Sequence, residues 1–251
     1  DYEPPLPTMV RDVNGEIVHS YARERRVQLD YTDFPKSLVN AYLSAEDKTF
    51  FSHGGLDYPG LARAAFDGLT SGETPSCTST ITQQVAKNLL LNNEVTYSRK
   101  IREGILAWRI EDALTKEQII SLYLNEIPLG RQSFGVQAAA RAYFAKDVGQ
   151  LGLHEMAFLA ILPKAPEKYG RSQHEESAIE RRNWVLGEMA RNDFITEAQA
   201  AAAQSRPLGL IPRTAQAFPP GNGYYTEEVR RQLIERYGEK AEDGPFSVYA
   251  G

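Results

Sequence analysis

Cysteine is almost missing from this 251-residue chain. Cys77 is the single one, so no intramolecular disulfide framework and no multi-cysteine metal site can form. Long apolar runs are missing too: the longest, Met156 to Leu162, falls far short of the roughly 20 residues that cross a bilayer. Basic charge is in deficit, 28 Lys and Arg against 33 Asp and Glu, and the net charge of -5 gives no global attraction to nucleic acid. Low-complexity tracts and internal repeats are absent, which excludes disordered, collagen-like, coiled-coil and solenoid readings. What is present is a globular composition, 42% hydrophobic and 24% charged, in a chain long enough for one or two domains with a proper core. The chain starts at Asp1 without a signal-peptide pattern and reads as an excised piece of a longer protein.

Residues 1–34 read as an extended, β-prone lead-in. Pro4, Pro5 and Pro7 forbid early helix, and Asn14-Gly15 between Met9–Val13 and Glu16–Tyr21 is a hairpin signal. From Pro35 the pattern turns helical. Capping boxes, in which a hydroxyl and a carboxamide or carboxylate three residues on satisfy orphan amides, mark helix starts at Thr80–Gln83, Thr115–Gln118, Ser177–Glu180 and Thr196–Gln199. Pro163 and Pro166 stop the helix that begins near Leu153. Residues 35–212 therefore form a mainly α domain. Residues 213–251 read as a Pro/Gly-rich linker, a short amphipathic helix over Thr226–Tyr237, and a strand at Phe246–Ala250 cut off before it finds a partner. More protein is expected to follow.

Three segments carry chemistry-bearing residues. Leu38, Tyr42 and Ala45 share a helical face, which puts Glu46 and Asp47 at that helix's C-terminal end, where acids oppose the dipole. They fit either a structural cap of the next loop or a functional carboxylate. His53 reads as a loop hydrogen-bonder, because no His/Asp spacing here forms a metal site. In Cys77–Asn88, capping explains Thr80 and Gln83. It leaves Ser79, Gln84 and Lys87 as polar dressing of a helix start that would suit a phosphate or a sugar equally with a plain surface. Arg99, Lys100 and Glu103 share one face of the following helix, either as a surface ion-pair network or as a cationic pocket with a carboxylate beside it. Separated carboxylates suit chemistry at an anomeric carbon, and adjacent cations suit a departing phosphate.

The segments Glu46–His53, Ser79–Gln84, Arg99–Glu103, Lys116–Gly130 with Gly135–Phe144, and Glu155–Pro166 occur in that order. Together they resemble the motifs of the family-51 peptidoglycan glycosyltransferases, the polymerase domain of class A penicillin-binding proteins, from Pro35 to Leu210. The resemblance implies a lysozyme-like α domain with a small membrane-associated jaw at roughly 57–77. It implies lipid II as substrate and the growing glycan chain as product. A location at the outer face of the cytoplasmic membrane behind an upstream anchor is also implied, with other cell-wall synthesis proteins as partners and no role for nucleic acid. By motif position Glu46 is the general base and Glu103 the donor-side carboxylate. Ser79, Thr80, Gln83, Gln84, Lys87, Arg99 and Lys100 line the donor diphosphate site, while Asp47, Phe50 and His53 support the first motif. No organic cofactor is implied; a divalent cation, Mg or Mn, has a place at the diphosphate. The tail resembles the lead into a transpeptidase region, whose Ser-x-x-Lys motif this chain lacks.

Some positions depart from the family pattern. Cys77-Thr78 stand where glycines or Gly-Ala are usual, and Pro128 and Phe134 where Tyr is common. The expected reaction is inverting displacement of the polyprenyl pyrophosphate by an acceptor 4-hydroxyl. A lysozyme-like hydrolase would use similar carboxylates without the cations, and a non-catalytic cell-wall scaffold would keep the fold alone.

Overall fold

The computed structural model describes residues 8–11, 17–21, 28–60, 62, 79–90, 97–131, 133–212 and 247–249; for the strands and for 89, 90, 97–99 and 172 the description is of backbone alone. The expected jaw beyond residue 62, the Cys77-Thr78 entry and the helix over Thr226–Tyr237 lie outside the described residues.

Two compact units divide the chain: Val27–Ile211, and the two ends Asp1–Arg26 with Pro212–Gly251. In the terminal unit β1 (Thr8–Arg11) pairs antiparallel with β2 (Ile17–Tyr21), flanking the Asn14-Gly15 signal. β3 (Ser247–Tyr249) pairs parallel with β1, giving the strand order β2-β1-β3. This corrects one expectation. The last strand does have a partner, because β1 has a free edge that a nearby extended segment satisfies.

The larger unit is helical: α1 (Lys36–Glu46), α2 (Ile81–Leu90), α3 (Tyr97–Ala113), α4 (Lys116–Glu126), α5 (Val136–Phe144), α6 (Leu153–Ile161), α7 (Pro166–Tyr169), α8 (Glu175–Arg191) and α9 (Glu197–Gln204). The apolar run Met156–Leu162 becomes its centre. A helix apolar all round has to be buried, and α6 lies against α1 and α8 with Phe158, Leu159 and Ala160 fully covered. Leu38 and Tyr42 of α1 face this core, while α2 packs on α3 and α4. Among the described residues no helix is long and apolar enough to cross a membrane.

Residues 28 and 29, assigned to the lead-in from sequence, are held on α4. The Leu29 N–H donates to Asn125 Oδ1 (3.0 Å), the Asn125 side chain donates back to the Leu29 carbonyl (2.9 Å), and Gln28 donates to Glu126 (2.9 Å). The boxes at Thr115 and Thr196 form with both reciprocal bonds. The box expected at Ser177 does not: α8 begins at Glu175 directly after a 3-10 turn at Ser172–His174, and Glu175 and Glu176 meet the dipole in the first turn instead.

The α8–α9 corner is fastened by Arg182, of which only 1% is exposed. Its guanidinium donates to the carbonyls of Gln204 (3.0 Å), the last residue of α9, and of Arg206 (2.7 Å) and Pro207 (3.4 Å) just beyond it. Arg182→Ala strands those carbonyls in the interior and is expected to lower stability by roughly 3 kcal/mol, measured by urea unfolding with an unchanged m-value.

Candidate active site

The site is assembled around the C-terminus of α1. Asp47, the residue after the last turn, carries a buried carboxylate that the dipole of α1 disfavours. Opposite donors compensate. His53 Nε2 lies 3.0 Å from both carboxylate oxygens, and the Ile81 N–H, the first of α2, donates to Oδ2 (3.0 Å). The Gly55 N–H donates to His53 Nδ1 (3.2 Å), so the ring carries its proton on Nε2 and donates it to Asp47. Asp47 is thus structural, holding His53 in the loop that follows it as well as the first amide of α2.

Thr80 closes the same circuit. Its hydroxyl donates to the Gly55 carbonyl (2.7 Å) and accepts from the Gln83 N–H (3.2 Å), while Gln83 Oε1 accepts from the Thr80 N–H (3.0 Å). Gly55 has φ +90, and a Cβ there would stand 3.1 Å from the Ala107 carbonyl oxygen, so only glycine fits without strain. Phe50 is fully buried, edge-on to His53, with Lys116 Nζ 4.3 Å from the centre of its ring. Glu111 on α3 ties this layer together: it accepts from Thr82 Oγ1 (2.6 Å) and from Lys116 Nζ (2.7 Å).

Glu46, one residue earlier, is partly exposed. Gln84 Nε2 donates to its Oε2 (2.8 Å), and the Tyr123 hydroxyl donates to Gln84 Oε1 (3.3 Å). Burial pushes the Glu46 carboxyl above its ordinary range, and the Asp47 charge adds to that. The Gln84 hydrogen bond and the positive charges of Arg181 and Lys164 oppose the rise. A carboxyl held in this way is suited to take up a proton.

Lys100 forms a second focus on α3. Its ammonium donates to Ser79 Oγ (2.8 Å) and to Glu103 Oε2 (3.0 Å), and Glu103 is 3% exposed. A groove of about 420 Å³ opens here, lined by Leu56, Gln83, Lys100, Ile101, Ile105 and Trp108. Ile101, Ile105 and Trp108 are solvent-exposed at one helical face, 66%, 51% and 63% respectively.

The structure therefore brings Ser79, Lys100 and Glu103 together, and Glu46 with Gln84. Asp47, Phe50, His53, Thr80 and Gln83 are buried or bonded in the framework beneath. Lys87 is exposed near the end of α2, and Arg99 lies in the first turn of α3 with its side chain outside the described residues. Pro128 and Phe134, the substituted pair, face each other in an isolated antiparallel bridge. The sequence reading missed Arg181, Lys164, Tyr123 and Glu111. Tyr123 and Lys164 lie within the Lys116–Gly130 and Glu155–Pro166 segments without being singled out there, and Arg181 and Glu111 are joined to the site by tertiary approach. Among the described residues no group of three or more His, Cys, Asp or Glu could hold a metal ion.

The family profile described as Transglycosylase matches residues 14–190. The chain is similar to penicillin-binding protein 1A of Neisseria cinerea, with 41% identity over 248 residues, 99% of this chain and 31% of that protein. It is similar to penicillin-binding protein 1A of Escherichia coli strain K12, with 39% identity over 247 residues, 97% of this chain and 29% of that protein. The chain thus spans under a third of the length of these curated relatives. The crystal structure of penicillin-binding protein 1A from Haemophilus influenzae has TM-score 0.58 at 24% identity, over 99% of this chain and 27% of that one, a likeness of fold.

Asp47→Ala leaves the Ile81 amide and the His53 ring N–H without their acceptor and is expected to lower stability by roughly 2–3 kcal/mol in urea unfolding. Asp47→Asn keeps an acceptor for one of the two donors, and the loss is smaller.

Proposed function

The chain belongs to the transglycosylase family, the peptidoglycan glycosyltransferases of family 51, and from that premise we propose that it polymerises lipid II into β-1,4-linked glycan, with Glu46 as general base. The observation that carries this reading is the pairing of Glu46, whose proton affinity is raised by burial, with the separate Ser79–Lys100–Glu103 cluster at the mouth of an apolar groove. An amphiphile with a diphosphate head and a polyprenyl tail matches that groove, polar at Lys100 and apolar along Ile101, Ile105 and Trp108.

In the proposed reaction the acceptor GlcNAc 4-hydroxyl gives its proton to Glu46 as its oxygen bonds to the donor anomeric carbon. The bond from that carbon to the phosphate oxygen breaks, and the polyprenyl pyrophosphate leaves with its charge met by Lys100, Lys87 and Arg99. Displacement at an α-linked phosphate in a single step inverts the centre and yields the β-linkage. Glu103 holds Lys100 toward the leaving group, and Arg181 and Lys164 keep Glu46 ionised enough to act. A divalent cation, Mg or Mn, would be held by the substrate phosphates and would supply further neutralisation of charge there. Because the tail of such a substrate stays in the bilayer, the proposed setting is the outer face of the cytoplasmic membrane, with the growing glycan and other cell-wall synthesis proteins as partners. The Lys100 cluster favours this reading over a lysozyme-like hydrolase, which has no diphosphate to bind.

Polymerisation of labelled lipid II in detergent tests it. Glycan ladders from the parent chain and none from folded Glu46→Gln are expected; ladders that survive the substitution would move the base elsewhere. The rate rises with pH as Glu46 loses its proton, and because burial raises that carboxyl the acid limb is expected above the ordinary carboxylate range. Arg181→Ala removes a charge that favours the carboxylate, so its acid limb is expected to move to still higher pH, read from initial rates of lipid II consumption across a pH series.

A further inference from the structure

We propose that Tyr123 is a positioning residue for this reaction: its hydroxyl fixes the Gln84 amide so that Glu46 has one oxygen held and the other open to the acceptor. The inference rests on Glu46 being the proton acceptor. A carboxamide has two ends of nearly equal size, and only one orientation turns N–H toward Glu46; the other sets a carbonyl against a carboxylate. The acceptor-only Glu46 carboxylate takes the first, with Nε2 donating to Oε2 at 2.8 Å, and the Tyr123 hydroxyl, 3.3 Å from Gln84 Oε1, holds it there by donating to the carbonyl. Among the described residues no further hydrogen bond reaches Glu46.

Tyr123 has little freedom to turn away. It is 1% exposed on α4, and Tyr42 stands edge-on to it at 5.9 Å between ring centres, 81° between planes. Tyr42 does not compete for the amide, because its own hydroxyl donates to the Leu159 carbonyl (3.0 Å). Burial raises both phenols well above their ordinary values, so each stays a donor wherever a carboxylate titrates. Two hydrogen bonds through one conjugated amide also polarise each other. Tyr123 acts on Glu46 through Gln84.

The other groups facing Glu46 are Asp47 on its own helix, Arg181 on α8, Lys164 in the turn after α6, and the phenol of Tyr42. Tyr123→Phe changes none of these charges. A change in Glu46 titration that depends on Gln84 therefore reports the amide.

The test is the Glu46 titration, followed by carboxyl ¹³C NMR of the folded chain with labelled glutamate, which needs no turnover. Tyr123→Phe is expected to raise the midpoint by roughly half a pH unit, since a donor to the carboxylate is loosened rather than lost. Gln84→Ala raises it further, and adding Tyr123→Phe to Gln84→Ala produces no additional movement. In lipid II turnover the acid limb of kcat moves with the midpoint while KM stays within about twofold. A midpoint unchanged in Tyr123→Phe overturns the proposal, as does a shift of the same size in the Gln84→Ala background. A second readout is amide exchange: the Gln84 side-chain N–H bonded to Glu46 exchanges slowly with solvent in the parent and faster in Tyr123→Phe, and equal exchange in the two overturns the proposal. A parent that makes no glycan would count against the polymerase reading only, because both NMR readouts still decide the role of Tyr123.

Discussion

Asp47 sits where α1 ends, and its carboxylate accepts from His53 on one side and from the first amide of α2 on the other. A buried charge in that position is tolerable only when its donors are in place. The fold supplies them by bringing α2 across the end of α1 and bending residues 50–55 back beneath. Everything nearby inherits its position from that arrangement. Gly55 receives Thr80, Thr80 starts α2, and Gln84 lies one turn further along the same helix, where it meets Glu46. The adjacent acids differ in their surroundings: Asp47 is buried and committed to structure, while Glu46 is partly exposed and bonded to Gln84.

The environment of Glu46 is a balance rather than a single contact. Burial and Asp47 favour the neutral acid; Gln84, Arg181 and Lys164 favour the carboxylate. A base exposed to water would bind a proton weakly, and one with a full ion pair would not take it up at neutral pH. Glu46 thus has cations in its field but no salt bridge among the described residues, and its carboxyl stands above the ordinary value. On the other side Lys100 is bonded to Ser79 and Glu103, so one ammonium links the start of α2 to α3.

Two apolar stretches meet opposite fates for one reason. Met156–Leu162 has apolar side chains in every direction and disappears into the core as α6, between α1 and α8. Ile101, Ile105 and Trp108 recur at one face of a helix whose other exposed positions include Lys100, Arg102 and Arg109, and that face stays open beside Lys100. A continuous apolar surface beside a cationic head is unusual on a protein surface unless something amphiphilic visits it.

Much of the helical unit was legible in the sequence because its signals are local. The boxes at Thr80, Thr115 and Thr196 and the proline stop after Ile161 all act within a few residues. The motif residues Glu46, Ser79, Lys100 and Glu103 could be named from their order along the chain, and the i,i+3 spacing of Lys100 and Glu103 already put them in reach of each other. Three things needed the tertiary structure. Ser177 lost its cap because a 3-10 turn runs straight into α8, and β3 found a partner far away in sequence. The surroundings of Glu46, assembled from Gln84, Tyr123, Lys164 and Arg181, come from separate elements, and no spacing rule encodes that approach. The sequence by itself determined where helices start and in what order the motif residues come, since caps and motif order are written in neighbouring residues. Only the tertiary structure decided how strongly Glu46 holds its proton, because burial and charge act through space rather than along the chain.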